Sequence, residues 1–258
     1  MTPNVLILRA PGINRDADAA LACELAGATA ERVHVNRVAE GAVRLCDYAM
    51  LIIPGGFSYG DHLGAGKLLA VDLAHRLGDQ IRDFVADGRP VIGICNGFQV
   101  LVKSGVLPGD AGPPSVTLTE NCSARFECRW VHLQADPQSR CIFTRGIELP
   151  IEIPIAHGEG RIAVSDDAAL ERLRAGGQVA LRYVAEDGGA VNYPANPNGS
   201  LDNIAGLCNP QGNVLGLMPH PENAVLPQQH PRWTREPWRI AGDGLALFQN
   251  AVAYAKSL

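Results

Sequence analysis

Short continuous apolar runs alternate with stretches of helical spacing through the first hundred or so residues. Residues 5–8 (Val-Leu-Ile-Leu), 49–53 (Ala-Met-Leu-Ile-Ile) and Val91–Ile94 are unbroken apolar runs, the pattern of strands buried on both faces. Residues 32–35 (Arg-Val-His-Val) alternate instead, which predicts an edge-like strand. Between the runs, residues 17–25 predict a small-residue helix, with Asn14, Asp16 and Asp18 available to cap it and Gly27 to stop it. Leu69, Leu73, Leu77, Ile81, Phe84 and Val85 recur at helical spacing and predict one helix over 63–85, closing at Asp87-Gly88. Another helix opens directly after Cys95 and ends near Gly105. Strand and helix in this alternation predict an open, mostly parallel α/β sheet of flavodoxin-like type, with helices on both faces.

The middle of the chain changes character. Residues 126–131 alternate as an antiparallel strand does, and 151–155, Val179–Val184 and Ile204–Cys208 add short strands, with Gly188-Gly189 and Asn196-Pro197-Asn198-Gly199 as turns. These predict a small antiparallel extension. Gln211-Gly212-Asn213 reads as a hairpin turn into a buried strand at 214–218, and 242–255 is a closing amphipathic helix. With no repeat, low-complexity segment or linker, residues 1–258 read as a single domain.

Composition narrows the function. The 258 residues are 47% hydrophobic and 19% charged, with a net charge of −5. No basic run appears, which argues against a nucleic-acid or anionic-membrane surface. No apolar stretch approaches the about 18 residues a membrane helix needs, and Met1-Thr2-Pro3-Asn4 leads straight into a strand without an export signal. Seven cysteines, an odd number without a paired pattern, predict reduced thiols in a cytoplasm. Cys122, Cys128, His132 and Cys141 fit no zinc-ligand spacing, so no metal site is expected.

Three pieces carry candidate chemistry. Gly93-Ile94-Cys95-Asn96-Gly97 joins a buried strand to a helix and has the form of a nucleophile elbow, with Cys where hydrolases place Ser. The glycines admit a tight turn, and the opening amides of the next helix favour a thiolate. A buried core cysteine is the alternative. His220 and Glu222 are two residues apart in Pro219-His220-Pro221-Glu222. In an extended segment they share one face, so the carboxylate can orient the imidazole, as in a Ser-His-Asp triad. A charged surface loop is the competing reading. Pro54-Gly55-Gly56 ends a predicted strand and could offer backbone amides to an oxyanion, with Gly56 and Asn96 as the donors, or be a plain turn.

In this order and at these separations the pieces resemble the class I glutamine amidotransferases, and among them the glutaminase subunits of phosphoribosylformylglycinamidine (FGAM) synthase. The motifs carrying the likeness span nearly the whole chain. They include Gly55-Gly56-Phe57-Ser58-Tyr59-Gly60-Asp61, the Cys95 elbow through Gln99, Asn121 with Arg125–Trp130, and His157-Gly158-Glu159-Gly160. Asn196-Pro197-Asn198-Gly199-Ser200, the His220 segment and Asp243-Gly244-Leu245 complete them. The resemblance implies L-glutamine as substrate, Cys95, His220 and Glu222 as catalytic triad, Gly56 and Asn96 as oxyanion donors, and Gly55 and Gln99 beside the substrate. It implies no cofactor in this chain, with ATP and Mg used by a partner synthase subunit that converts formylglycinamide ribonucleotide to its amidine in purine biosynthesis, and a small bridging subunit. It places 157–160 and 196–200 at the pocket rim or partner surface without a catalytic step.

Two segments depart from the family pattern. His62-Leu63-Gly64-Ala65-Gly66 is closer to the long, fused enzymes, and 226–240, with Trp233 and Trp238, is longer than expected. A different class I amidotransferase or γ-glutamyl hydrolase is the enzymatic alternative, and a catalytically silent regulatory subunit the non-enzymatic one. Intact Cys95, His220 and Glu222 weigh against the latter. A glutamine-like diazoketone is expected to label Cys95 alone among the seven cysteines, read by peptide mass mapping; modification of Cys128 or Cys208 instead would contradict the elbow assignment.

Overall fold

A computed structural model describes residues 2–109, 112–236 and 239–258. In chain order the first half comprises β1 (Asn4–Arg9), α1 (Asp16–Leu25), β2 (Thr29–His34), α2 (Val35–Ala39), β3 (Met50–Ile53), α3 (Lys67–His75), α4 (Gly78–Ala86), β4 (Val91–Ile94) and α5 (Asn96–Lys103). The second half adds β5 (Val116–Thr119), β6 (Glu127–Ala135), β7 (Ile151–His157), β8 (Arg161–Val164), α6 (Asp167–Ala175), β9 (Val179–Val184), β10 (Ile204–Cys208), β11 (Val214–Leu217) and α7 (Leu245–Ala255).

Nine strands form one sheet in the order β2-β1-β3-β4-β11-β10-β9-β6-β7, and β5 pairs with β8 in a separate two-stranded sheet. From β2 to β11 all pairings are parallel. From β11 to β7 they are antiparallel, the β10–β11 hairpin marking the change. Every residue of β3, β4 and β11 is buried, which requires cover on both faces. α1 packs on α7, and α3 on α5, as the apolar runs of the first half predict.

The predicted helix over 63–85 is two helices. Gly66 enters α3 in a left-handed conformation (φ 71°), and the chain breaks between His75 and Gly78 at Leu77 (φ −116°, ψ 1°). Leu69, Leu73, Leu77, Ile81 and Phe84 are nevertheless all buried. Their periodicity recorded which side faces the core, whereas glycines at 64, 66 and 78 lower the propensity that would keep the helix continuous. The strand predicted at 32–35 runs over Thr29–His34 instead, and Val35 opens α2, whose second residue donates N–H to His34 Nδ1 (3.2 Å). Strands β5 and β8, only four residues long, and α6, opened by the Asp166 cap on Ala169 N–H (2.8 Å), have no counterpart in the sequence reading.

The outer edge of β7 is covered by the chain after β11. His220 N–H donates to Pro154 O (2.8 Å) and Glu152 N–H to Asp243 Oδ2 (2.9 Å), so an otherwise bare sheet edge is paired. The described residues of 226–240 lie here. His230 and Arg232 both engage Glu152, and the His230 ring meets Trp130 edge-on at 5.0 Å. Trp233 is partly exposed; Trp238 lies outside the described residues.

Helix α5 lies so close to β3 that a Cβ on Gly97 would sit 1.9 Å from Ile53 O. Gly97→Ala is therefore expected to cost about 3 kcal/mol or more. Gly41→Ala, where a Cβ meets nothing within 4 Å, should cost about 1 kcal/mol for its positive φ. Urea unfolding of the two variants measures the contrast.

Candidate active site

Three neighbouring parallel strands deliver the three predicted pieces to one place. Ile53 of β3 is in register with Gly93 of β4, and Ile94 of β4 with Leu217 of β11. The residues that follow, Gly55-Gly56, Cys95 and Pro219-His220, therefore emerge side by side at the carboxyl ends of the strands, where open α/β sheets bind ligands. Cys95 N–H donates to Leu217 O (2.8 Å), which ties the elbow to β11 at the turn itself.

Cys95 adopts φ 51°, ψ −105°, a conformation non-glycine residues avoid and one found where function holds a side chain in place. The flanking glycines permit it. A Cβ on Gly93 would lie 2.6 Å from Gly97 O. Cys95 caps α5, with its carbonyl accepting from Phe98 N–H (3.0 Å) and Gln99 N–H (3.1 Å). Its sulfur lies 3.7 Å from Ala156 O, at the end of β7. The sharp strand-to-helix turn is thus present, with Cys95 itself 6% exposed.

His220 Nδ1 and Glu222 Oε1 are 2.7 Å apart, in a buried pair. Their linkage differs from the extended segment anticipated, because Pro221–Asn223 is a 3-10 turn. The turn folds the carboxylate back onto the ring, so the two meet more closely than alternation along a strand would bring them. Glu222 occupies Nδ1, while the buried Nε2 makes no hydrogen bond to protein, although the ring lies near enough to Cys95 to feel its charge. Burial disfavours the imidazolium, but the Glu222 carboxylate and the negative charge of a Cys95 thiolate outweigh it and push the His220 pKa up to about 10.

Gly55 sits against both side chains. A Cβ there would be 2.7 Å from His220 Cε1, so only glycine leaves the imidazole its place, while Cys95 Cβ at 3.5 Å would be in ordinary contact. Gly56 has φ 144°, and its would-be Cβ meets Gly12 O at 2.6 Å. The loop is clamped to the turn after β1 by Phe57 N–H to Gly12 O (2.9 Å) and Tyr59 N–H to Pro11 O (2.7 Å). Asn96 is the first residue of α5, so its N–H has no acceptor within the helix.

The Asn96 side chain has a further task. Its Oδ1 accepts from Ser58 N–H (3.1 Å), and its Nδ2 donates to Asp61 Oδ1 (3.0 Å) and Gln99 Oε1 (3.0 Å). Gln99 Nε2 in turn donates to Glu159 O (2.6 Å). The glycine loop, the elbow helix and the turn after β7 are thereby fastened together. Gln99 is buried with both ends of its amide engaged, although each end keeps capacity for one more hydrogen bond.

Several polar residues at the site were passed over as catalytic candidates. His157, Asn121, Asn198 and Tyr183 form a buried group beside β7. Asn198 Nδ2 donates to Gly160 O (2.9 Å) and Tyr183 Oη (3.2 Å), and Asn121 reaches His157 and Gly160. The motifs at 157–160 and 196–200 signalled two turns of this network without revealing that they fold inward onto one another. Tyr183 carried no signal, since in sequence it is one aromatic residue in a strand.

Residues 2–255 match the CobB/CobQ-like glutamine amidotransferase domain. The chain belongs to the glutamine amidotransferase family. Among relatives, it is 46% identical over 255 residues to phosphoribosylformylglycinamidine synthase subunit PurQ of Dehalococcoides mccartyi, covering 98% of each chain. It is 51% identical over 243 residues to the subunit of that name from Treponema denticola, covering 88% of this chain and 90% of the relative. Its fold resembles a chain of the solved PurLQS structure from Thermotoga maritima, with a TM-score of 0.76, 35% identity, and 98% and 99% of the two chains covered. The amidotransferase fold expected from the motifs is the fold found.

The raised pKa of His220 makes a pH prediction for this amidotransferase. A ring that binds its proton more tightly when folded stabilises the fold fully below about pH 6.5, and that stabilisation is lost as pH rises toward about 10. Glu222→Gln should lower the His220 pKa, followed by NMR of the ring, and flatten this part of the thermal-stability profile. An unchanged titration would mean that Glu222 does not set the charge of the ring.

Proposed function

We propose that this chain is the glutaminase subunit of FGAM synthase, releasing ammonia from L-glutamine for a synthase subunit in purine biosynthesis. The observation that carries the reading is the convergence of Cys95 and the His220–Glu222 pair from the ends of β4 and β11, in a chain alike to PurQ proteins along almost its full length. Cys95, as thiolate, attacks the side-chain carbonyl carbon of glutamine, and Gly56 and Asn96 N–H groups receive the charge that develops on its oxygen. His220 imidazolium gives its proton to the departing nitrogen, so ammonia leaves and a γ-glutamyl thioester remains. The now neutral His220 takes a proton from water, whose oxygen attacks the thioester and frees glutamate and the thiolate. Glu222 holds the ring and its charge throughout. Gly55 leaves the imidazole room beside the substrate, and Gln99 lies at the wall where the α-substituents of glutamine would bind.

The name of the Thermotoga maritima structure joins three components, which supports a synthase and a small bridging subunit as partners here. ATP and Mg are then used by the synthase, and this chain needs no cofactor for the steps above. Among the described residues no helix is long and apolar enough to cross a membrane, and a purine-pathway role fits the cytoplasm.

The test is to combine the chain with its synthase and small subunit, formylglycinamide ribonucleotide, ATP, Mg and glutamine, and to measure amidine. Cys95→Ala should reduce glutamine-dependent synthesis by about a thousandfold or more while ammonium chloride still supports it. Glutamate release at the normal rate from Cys95→Ala would refute the mechanism, and no amidine from the wild-type mixture would refute the pathway assignment.

A further inference from the structure

Beside the triad is a second imidazole that none of these steps uses. The Cys95 sulfur touches the carbonyl of Ala156, and the next residue, His157, is only 3% exposed. Its tautomer follows from its neighbours. Asn121 Nδ2 donates to the carbonyls of Arg125 (2.9 Å) and His157 (2.8 Å), so Asn121 Oδ1 is the atom turned to the ring, where it also accepts Gly160 N–H (3.1 Å). His157 Nδ1, 3.1 Å from that oxygen, must therefore carry the hydrogen. Nε2 is left as a bare acceptor, and although buried it bonds to no protein atom.

No protein group hydrogen-bonds to it. Glu127, opposite His157 across the β6–β7 ladder, is engaged by Ser123 and Arg129. Gly160 faces the ring so closely that a Cβ would lie 2.2 to 2.6 Å from its atoms, which reserves the space for the imidazole. A buried acceptor without a donor is costly to keep, and its complement is a small hydrogen-bond donor.

We propose that His157 Nε2 is the first acceptor for ammonia as it leaves Cys95, holding it through an N–H···N hydrogen bond before it passes to the partner's active site. The proposal rests on the glutaminase reading above. No proton changes hands. Burial and the neighbouring charge of His220 hold the His157 pKa down to about 4, so the ring is neutral at working pH. A charged imidazole in its place would hand ammonia a proton and trap it as unreactive ammonium. The two histidines thus divide the work: His220 supplies the proton that makes ammonia, and His157 receives it without supplying another.

The test is the amount of amidine formed per glutamate released in the reconstituted complex, normalised to synthesis from ammonium chloride in solution. His157→Leu, which cannot accept a hydrogen bond, should lower this ratio by about fivefold or more, and His157→Gln, whose amide oxygen can, should restore it to within about twofold. A ratio near that of wild type in His157→Leu would overturn the proposal, as would equal loss in both variants. Should the leucine variant not fold, the ¹⁵N resonance of His157 Nε2 in the wild-type complex decides: it should shift on adding ammonium chloride at about pH 8, where some ammonia is present. An unchanged resonance would show that an ordered water or nothing occupies the acceptor. Failure of the wild-type complex to make amidine from glutamine would instead count against the glutaminase reading itself.

Discussion

The site depends on the parallel register of β3, β4 and β11. Hydrogen bonding between neighbouring strands fixes their carboxyl ends at the same level, so the residues that follow them meet without any long-range adjustment. Each end then contributes a different capacity: a backbone freed of side chains at Gly55-Gly56, a sulfur at Cys95, and an imidazole at His220. Close approach is what makes the combination work, and the absent Cβ of Gly55 is what permits it. The strain stored at Cys95 is sustained by the same contacts, since β11 accepts its N–H and α5 begins on its carbonyl.

Electrostatics then separates two imidazoles in one site. Both His157 and His220 are buried, and burial alone would keep each neutral. A carboxylate 2.7 Å away reverses the outcome for His220. His157 has only an amide oxygen at hydrogen-bonding distance and feels the charge of His220 as a repulsion. The same residue type thereby holds its proton in one place and stays neutral in the other, set by the charges beside it.

The segment after β11 serves both fold and site. It places His220 and Glu222, seals the outer edge of β7, and carries His230, Arg232, Arg239 and Asp243 into a network centred on Glu152. A partly buried carboxylate bridged by Arg232 and Arg239 ties the described part of this segment to the sheet more firmly than isolated surface pairs would.

Local pattern alone determined the buried strands and the sharp strand-to-helix turn at Cys95, because these follow from apolar runs and from glycine's freedom within a few residues. It also identified His220 and Glu222 as partners, although the turn that joins them closes in a way alternation does not predict. The break at Leu77 and the start of α2 at Val35 escaped it, since periodicity reports which side faces the core and not whether a helix is continuous. Only the tertiary structure decided that Asn96 fastens the glycine loop, that Gln99 clasps Glu159, that Asn121 meets His157, and that Asn198 joins Gly160 to Tyr183. Those contacts join residues far apart in the chain, and no spacing in a single sequence records which buried polar atoms will find one another.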